Sequence, residues 1–311
     1  MSAQVESMFY VRNTPWHGLG TRVEEALSAM EALQKAGLDW RVIQKPLETF
    51  DGIHVPGYAA NVRETDQKVL GVVSTQYSVV QNEDAFAFTN EMLGKGVRYE
   101  TAGSLAGGRR VWILAKLPNQ YIVKGDRISP YLVFSNTHDG SGSIKVALTP
   151  IRVVCNNTLC LALNTAQRSW STKHTGDIGG RLEDAKETLF RAEDYMDQLS
   201  KEIEKLNTIY IPREQAEKIV GQLLPIPDKA SCQQEKNILG QRQDIMNRYL
   251  YAPDLKNLSE NGYRLLNAVS DFAGHAKPLR VTSTYQDNLF AKTIDGNPVI
   301  DRSYQMIKAA A

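Results

Sequence analysis

The side chains with the widest chemical range in this 311-residue chain are three cysteines, five histidines and scattered acidic groups. Cys155 and Cys160 have four residues between them, and Cys232 is remote. A structural zinc site takes four ligands and closer cysteine pairs. His138, His174 and Asp139 can be drafted into such a set, but nothing in the spacing fixes them together. Ordinary buried thiols are the expectation, with no metal and no other cofactor. A Cys–His nucleophile meets the same objection. No carboxylate pair is placed for acid–base work, and no Ser–His–Asp order is legible. The sequence therefore reads as a binding protein with no catalytic residues rather than an enzyme.

Four polar or glycine-bearing stretches remain. Asn136-Thr137-His138-Asp139-Gly140-Ser141-Gly142 offers backbone N–H groups to a phosphate, donors to a metal, or a plain turn. Asp-Gly after an apolar strand favours the turn. Gly103–Arg110 lacks the closing Gly-Lys-Ser/Thr of a phosphate loop and opens no helix, so it reads as a hairpin whose tip presents Arg109 and Arg110. In Trp16-His17-Gly18-Leu19-Gly20-Thr21 the tryptophan reads as an anchor, and His17 as a packed or surface histidine. Thr149–Leu159 puts Arg152 in an apolar strand and then two Asn and a Thr at a helix start. That is a place for a phosphate, or simple capping by Asn156 or Asn157.

Charge singles out the same region. The whole chain carries 36 basic and 35 acidic residues, for a net charge of +1. Between Arg98 and Arg181 there are eleven basic residues and four acidic ones. A basic middle within a neutral chain is the footprint of a polyanion site. The alternative is that these residues merely alternate outward on strands.

The elements that must position them follow from periodicity. A helix is expected from about Arg22 or Ser28 to Lys35, with Ser28 and Glu31 as a capping box and Gly37 as the stop. Strands are expected at Asp39–Gln44, Tyr58–Val62 and Val69–Ser74. Asn82 caps a helix over Glu83–Leu93. Arg98–Leu105 and Arg109–Leu117 form a hairpin about Ala106-Gly107-Gly108. In its second arm Val111, Ile113 and Ala115 face one way, and Arg110, Trp112, Leu114 and Lys116 the other. Further strands fall at Tyr131–Phe134 and Ile144–Leu148, and a helix at Asn156–Ala166. Leu182–Leu206 is a charged amphipathic helix, followed by helices at Arg213–Leu223, Gln233–Tyr249 and Ser259–Phe272. The first twenty residues read as loop.

The fold class is thus α+β: an antiparallel or mixed β-sheet packed on helices over residues 1–180, then a mostly helical region over 181–311. Hydrophobic residues at 42% and charged residues at 23% exclude wholesale disorder. No apolar run reaches the roughly 18 residues of a membrane span, and Met1–Ser7 does not read as a signal peptide. Three cysteines make no disulfide framework, so a reducing cytoplasm is expected.

Five ordered motifs resemble one family. They are Trp16–Thr21, Tyr77–Phe86, Thr101–Trp112, Asn136–Ser141 and Thr149–Leu159, and the family is the phage/plasmid-like proteins that carry domain of unknown function 932. The resemblance runs from Trp16 to the helical tail and implies a setting in mobile DNA. A more distant likeness is to phage single-strand annealing proteins, which pack a sheet on helices, form rings or filaments and lay single-stranded DNA in a basic groove. Fold-level analogy of this kind does not dictate function.

The expected function is single-stranded DNA binding and strand annealing in mobile-element recombination, by a homo-oligomer. Phosphate contacts are expected from Arg109, Arg110, Lys116, Lys145, Arg152, Arg168 and Lys173. Base stacking is expected from Trp112, with Tyr131 and Trp170 as further candidates. The alternative is a protein-interaction or counter-defence factor that docks through its acidic helical tail. A third option is a metal-dependent enzyme using His138 and Asp139.

Overall fold

The computed structural model describes residues 5–11, 21–23, 27–93, 98–117, 121–152, 161, 163, 169–190, 192–280, 282, 288, 292 and 296–311. The chain divides into two compact units. One takes residues 1–119, 130–148 and 167–192, and the other takes 120–129, 149–166 and 193–311. The fold is α+β, with a mixed sheet in the N-terminal region and helices through the C-terminal region.

The elements begin with β1 (Val5–Val11), β2 (Thr21–Val23), α1 (Ala29–Lys35), β3 (Val42–Glu48), β4 (His54–Arg63) and β5 (Val69–Ser74). Next come α2 (Asn82–Leu93), β6 (Arg98–Leu105), β7 (Arg110–Lys116), β8 (Tyr121–Val123), β9 (Asp126–Thr137), β10 (Ile144–Arg152), β11 (Ser169–Thr172) and α3 (Ile178–Phe190). The large sheet runs β11-β10-β9-β7-β6-β1-β2, with β8 paired to β9, and β3-β4-β5 form a second sheet.

Alternation along β7 decides which face is core. Val111, Ile113 and Ala115 point to the same side as Leu132 and Phe134 of β9, Ile144 and Val146 of β10, and Phe9 of β1. The helices cover that side with Leu33 of α1, Phe86 and Phe88 of α2, and Ala185 of α3. α1 is set by the capping box expected from sequence: Ser28 accepts from the Glu31 backbone N–H, and the Glu31 carboxylate accepts from the Ser28 N–H. Gly37 follows at φ 63°, a conformation that favours glycine.

Two N-terminal expectations change. Val5–Val11 is a strand rather than loop, antiparallel to β6 and parallel to β2, because Met8 and Phe9 have a core to enter. Asn82 begins α2, but its side chain is spent on groups outside the helix, described below.

In the second unit, α4 (Ala192–Thr208) buries Met196, Leu199, Ile203 and Leu206 at helical spacing. The stretch expected as one helix from Leu182 to Leu206 is covered by α3 and α4, which belong to different units. α5 (Arg213–Leu223), α6 (Cys232–Tyr251) and α7 (Gly262–His275) lie close to where the sequence placed helices, and α8 (Pro298–Ala309) is additional. Gly262 lets α7 approach its neighbours: a Cβ there would stand 2.5 Å from Ile307 Cγ2 and 3.1 Å from the Leu206 carbonyl oxygen. No helix among the described residues is long and apolar enough to cross a membrane.

Candidate nucleic-acid interface

The face of the large sheet opposite the helices carries the basic residues. β7 sends Arg110, Trp112, Leu114 and Lys116 to it, as alternation from the Val111–Ala115 core positions requires. The register places Arg98 of β6 and Tyr131 of β9 beside Lys116. Ser135 and Gly103 flank Trp112 in the same way. Two strands along, Lys145 of β10 lies on this face too, because its neighbours Ile144 and Val146 face the core, and Ser171 of β11 is its partner. Arg110 and Lys116 are six residues apart on one strand, about 20 Å, and Lys145 lies about 10 Å to the side.

Trp112 is only 8% exposed and Tyr131 9%. Its ring tip approaches Gly103, where an added Cβ would stand 2.8 Å from Trp112 Cη2. Trp112 therefore forms the floor beneath the cations. Arg110, Lys116 and Lys145 are half-buried, and Arg98, Arg109 and Lys173 are exposed. Arg98 was missed in the sequence, since only the β6–β7 register shows that it stands beside Lys116.

The β6–β7 turn supplies positive φ at Ala106, Gly107 and Gly108, at 52°, 71° and 90°, as its glycines suggested. The tip does not project freely. Gly108 is buried, and a Cβ on Gly107 would stand 2.4 Å from Lys68 Nζ. Nearby, Arg63 of β4 donates to both Glu6 carboxylate oxygens, at 2.9 and 2.8 Å, and to Asp66, and its guanidinium lies 5.2 Å from the Trp40 ring centre. Burial pushes the Glu6 carboxyl up, but Arg63 outweighs it and holds Glu6 below the usual range. Arg109 serves the scaffold through its backbone, whose carbonyl accepts from the His138 N–H at 2.7 Å.

Asn136 and Thr137 end β9, and the chain bends from His138 through Gly140, at φ 75°, as Asp-Gly implied; the bend is anchored by a buried polar cluster. His138 Nε2 lies 3.1 Å from Asn82 Oδ1. Asn82 Nδ2 donates to the carbonyls of Leu38 and Trp40, so its oxygen faces the ring. His138 Nε2 therefore carries the proton, and Nδ1 is a bare acceptor without a partner among the described residues. Asn61 donates to the His138 carbonyl at 2.7 Å, and Asn136 donates to the Val80 carbonyl at 3.0 Å. His174 stacks on Tyr77 at 4.4 Å and meets the Ser78 carbonyl through Nδ1 at 3.2 Å. Burial, helped by the neighbouring His174 and opposed by Asp139, pushes the His138 imidazole down to about 3. Burial also lowers His174. Among the described residues no group of three or more His, Cys, Asp or Glu side chains is placed to hold a metal ion.

Residues 69–294 match DUF932, a domain of unknown function. The chain belongs to the DUF932 family. The comparisons with curated proteins and with solved structures found no match. In this DUF932 member the matched span runs from β5 to the residues before α8, and so contains the basic strands β6, β7, β9 and β10 with Asn82, His138 and His174, whereas Asn61 and the Trp16–Thr21 motif, from which the resemblance is expected to run, precede it. Trp16–Thr21, Cys155, Cys160, Arg168 and most of the expected Asn156–Ala166 helix lie outside the described residues. Arg152 closes β10, its side chain likewise outside the description. Cys232 is a free, exposed thiol.

Proposed function

We propose that this chain binds single-stranded DNA along the basic face of its large sheet and promotes annealing as a homo-oligomer, without bond chemistry. The observation that carries this reading is the convergence of Arg110, Lys116 and Lys145 on one face, opposite the helix-covered core. Exposed Arg109 and Lys173 extend the set, and Arg152 and Arg168 adjoin it in sequence. The resemblance to phage/plasmid-like proteins supplies the mobile-DNA context. Trp112, as the floor of the face, contributes rigidity and excluded water, so affinity comes mainly from phosphate neutralisation.

The test is fluorescence anisotropy with a labelled single-stranded oligonucleotide across salt concentrations. Each neutralised phosphate contributes about −0.7 to the slope of log K against log salt. Five cations, Arg109, Arg110, Lys116, Lys145 and Lys173, give a slope of about −3.5. Affinity should then fall about a hundredfold between 50 and 200 mM salt. Replacing Arg110, Lys116 and Lys145 with Gln should reduce the slope by about 2. Absence of binding at low salt, or a slope unmoved by that variant, refutes the proposal.

A specific feature favours self-association. Phe50 and Ile53, between β3 and β4, and Tyr58, Val69 and Val72 on the small sheet are large apolar side chains left exposed. Tyr58 and Val72 are diagonal neighbours on one sheet face. Such clusters mark contact surfaces. Light scattering should show an oligomer that Tyr58→Ser with Val72→Ser weakens, and a strict monomer with and without DNA overturns this part.

A further inference from the structure

The helical unit contains a cleft of about 450 Å³ between α6, the last turn of α7 and the start of α8. Lys236, Lys277 and Lys292 line it, and all three are exposed. None of them has an ion pair with a described residue. Asp244, the acidic group among the described lining residues, is already paired with Arg248 at 3.0 Å. The helix ends largely cancel, since the α8 N-terminus and the α7 C-terminus both border the cleft. Among the described lining residues the lysines therefore set its sign, and three cations without an ion pair to a described residue favour a multiply charged anion.

The rest of the lining says more about that anion. Phe272, with neighbouring alanine, proline and leucine, gives an apolar part of the lining, and Asn237 and Gln241 of α6 bring side-chain amides to it. The volume is far larger than one phosphate needs and within the range of small-molecule sites. An apolar and aromatic wall suits a flat ring, amides suit its polar edge, and lysines suit phosphates. Gly240 lies at the α6 wall with nothing within 4 Å of the position a Cβ would take, so the cleft is open there.

We propose that this cleft binds a nucleoside phosphate carrying two or three phosphoryl groups, with the ring against Phe272 and the phosphates on Lys236, Lys277 and Lys292. The site lies wholly in the helical unit and does not depend on the sheet-face reading. A free nucleotide and the phosphorylated end of a strand share this chemistry, so both are tested.

The experiment is isothermal titration of the full chain at low salt with ATP, with inorganic tripolyphosphate and with a 5′-triphosphorylated oligonucleotide. Saturable ATP binding at one site per chain, with Kd below about 1 mM, is expected. The triple variant Lys236→Gln, Lys277→Gln, Lys292→Gln should bind ATP at least about tenfold more weakly. Gly240→Leu should abolish binding by filling the cleft, while helix propensity keeps α6 intact. Phe272→Leu should weaken ATP but not tripolyphosphate. Circular dichroism melting confirms that each variant is folded. Competition by the oligonucleotide that the triple lysine variant removes points to a strand end, and its absence points to a free nucleotide; each is consistent with the proposal. No saturable ATP binding, ATP binding unchanged in the triple variant or in folded Gly240→Leu, or tripolyphosphate binding as tightly as ATP overturns it. Gln replacement of Arg110, Lys116 and Lys145 should leave ATP binding untouched, which separates failure here from failure of the sheet-face reading.

Discussion

Burial of His138 makes the sheet unit acid-sensitive in a way that can be calculated. The free imidazole titrates near 6.5, and in the fold burial pushes His138 down to about 3. The unfolded chain therefore binds a proton at a pH where the folded chain refuses it. His138 costs nothing above pH 6.5. Below that, stability falls by about 1.36 kcal/mol per pH unit until the pH approaches 3. Between pH 7 and 5 the expected loss from this one side chain is about 2 kcal/mol. His174 is lowered by burial as well and adds a loss of the same sign.

The assay is urea unfolding followed by tryptophan fluorescence. The described tryptophans, Trp40, Trp112 and Trp170, fall within the sheet unit, so their signal reports on the unit that holds His138. With an m-value of about 2 kcal/mol/M, the midpoint should drop by about 1 M between pH 7 and pH 5. His138→Gln removes the titration while keeping an N–H donor for Asn82 Oδ1. The variant loses some stability at pH 7, but its midpoint should move about 1 M less than that of the parent over the same interval. Other titrating groups cancel in this double difference. Equal pH shifts in parent and variant would refute the argument.

Other perturbations follow from single contacts. Gly103→Ala brings a Cβ to 2.3 Å from the Ser7 carbonyl oxygen and 2.5 Å from Met8 Cβ; backbone must shift, and a loss of about 3 kcal/mol is expected in thermal melts. Arg63→Ala strands Glu6 and Asp66, whose side chains are 29% and 48% exposed. That exposure limits the expected loss to about 2 kcal/mol by urea titration, and the loss should shrink at acid pH as Glu6 protonates. Ser231→Ala removes the half of the α6 capping box in which Ser231 Oγ accepts from the Gln234 N–H, leaving the Ser231 N–H on the Gln234 side chain, and should cost about 1 kcal/mol. Asn82→Leu leaves two carbonyls and the His138 N–H without partners and should cost about 2–4 kcal/mol, read from the same fluorescence transition.

Much of the fold was legible where local chemistry suffices. Gly107 and Gly108 supply the positive φ that the hairpin needs, and α5 occupies Arg213–Leu223 as its periodicity implied. What escaped depends on distant partners. β1 was read as loop because the glycines and Pro15 after it dominate locally, while its partner β6 lies about ninety residues away. The signal for α8 was present in Asn297-Pro298, an N-cap followed by proline at the first helical position. Alternation alone grouped Arg110, Trp112 and Lys116, but adding Lys145 required the strand order. The burial of Trp112, only 8% exposed, is encoded in no local pattern.

Three of the motifs that carry the family resemblance are packed on one another. Tyr77 bonds the Thr137 carbonyl, Asn82 bonds His138, Asn136 bonds the Val80 carbonyl, and the Arg109 carbonyl accepts from the His138 backbone. Three of the five motifs therefore meet at one junction between the small sheet, α2 and the end of β9. Buried amides and imidazoles tolerate little substitution, because each change orphans a partner. A sequence pattern this specific can be required by folding alone. It follows that the chemistry of this chain should be sought first in residues outside those motifs: Arg98, Lys116 and Lys145 on the outward sheet face, and the lysines of the helical unit, where substitution alters charge without disturbing the junction.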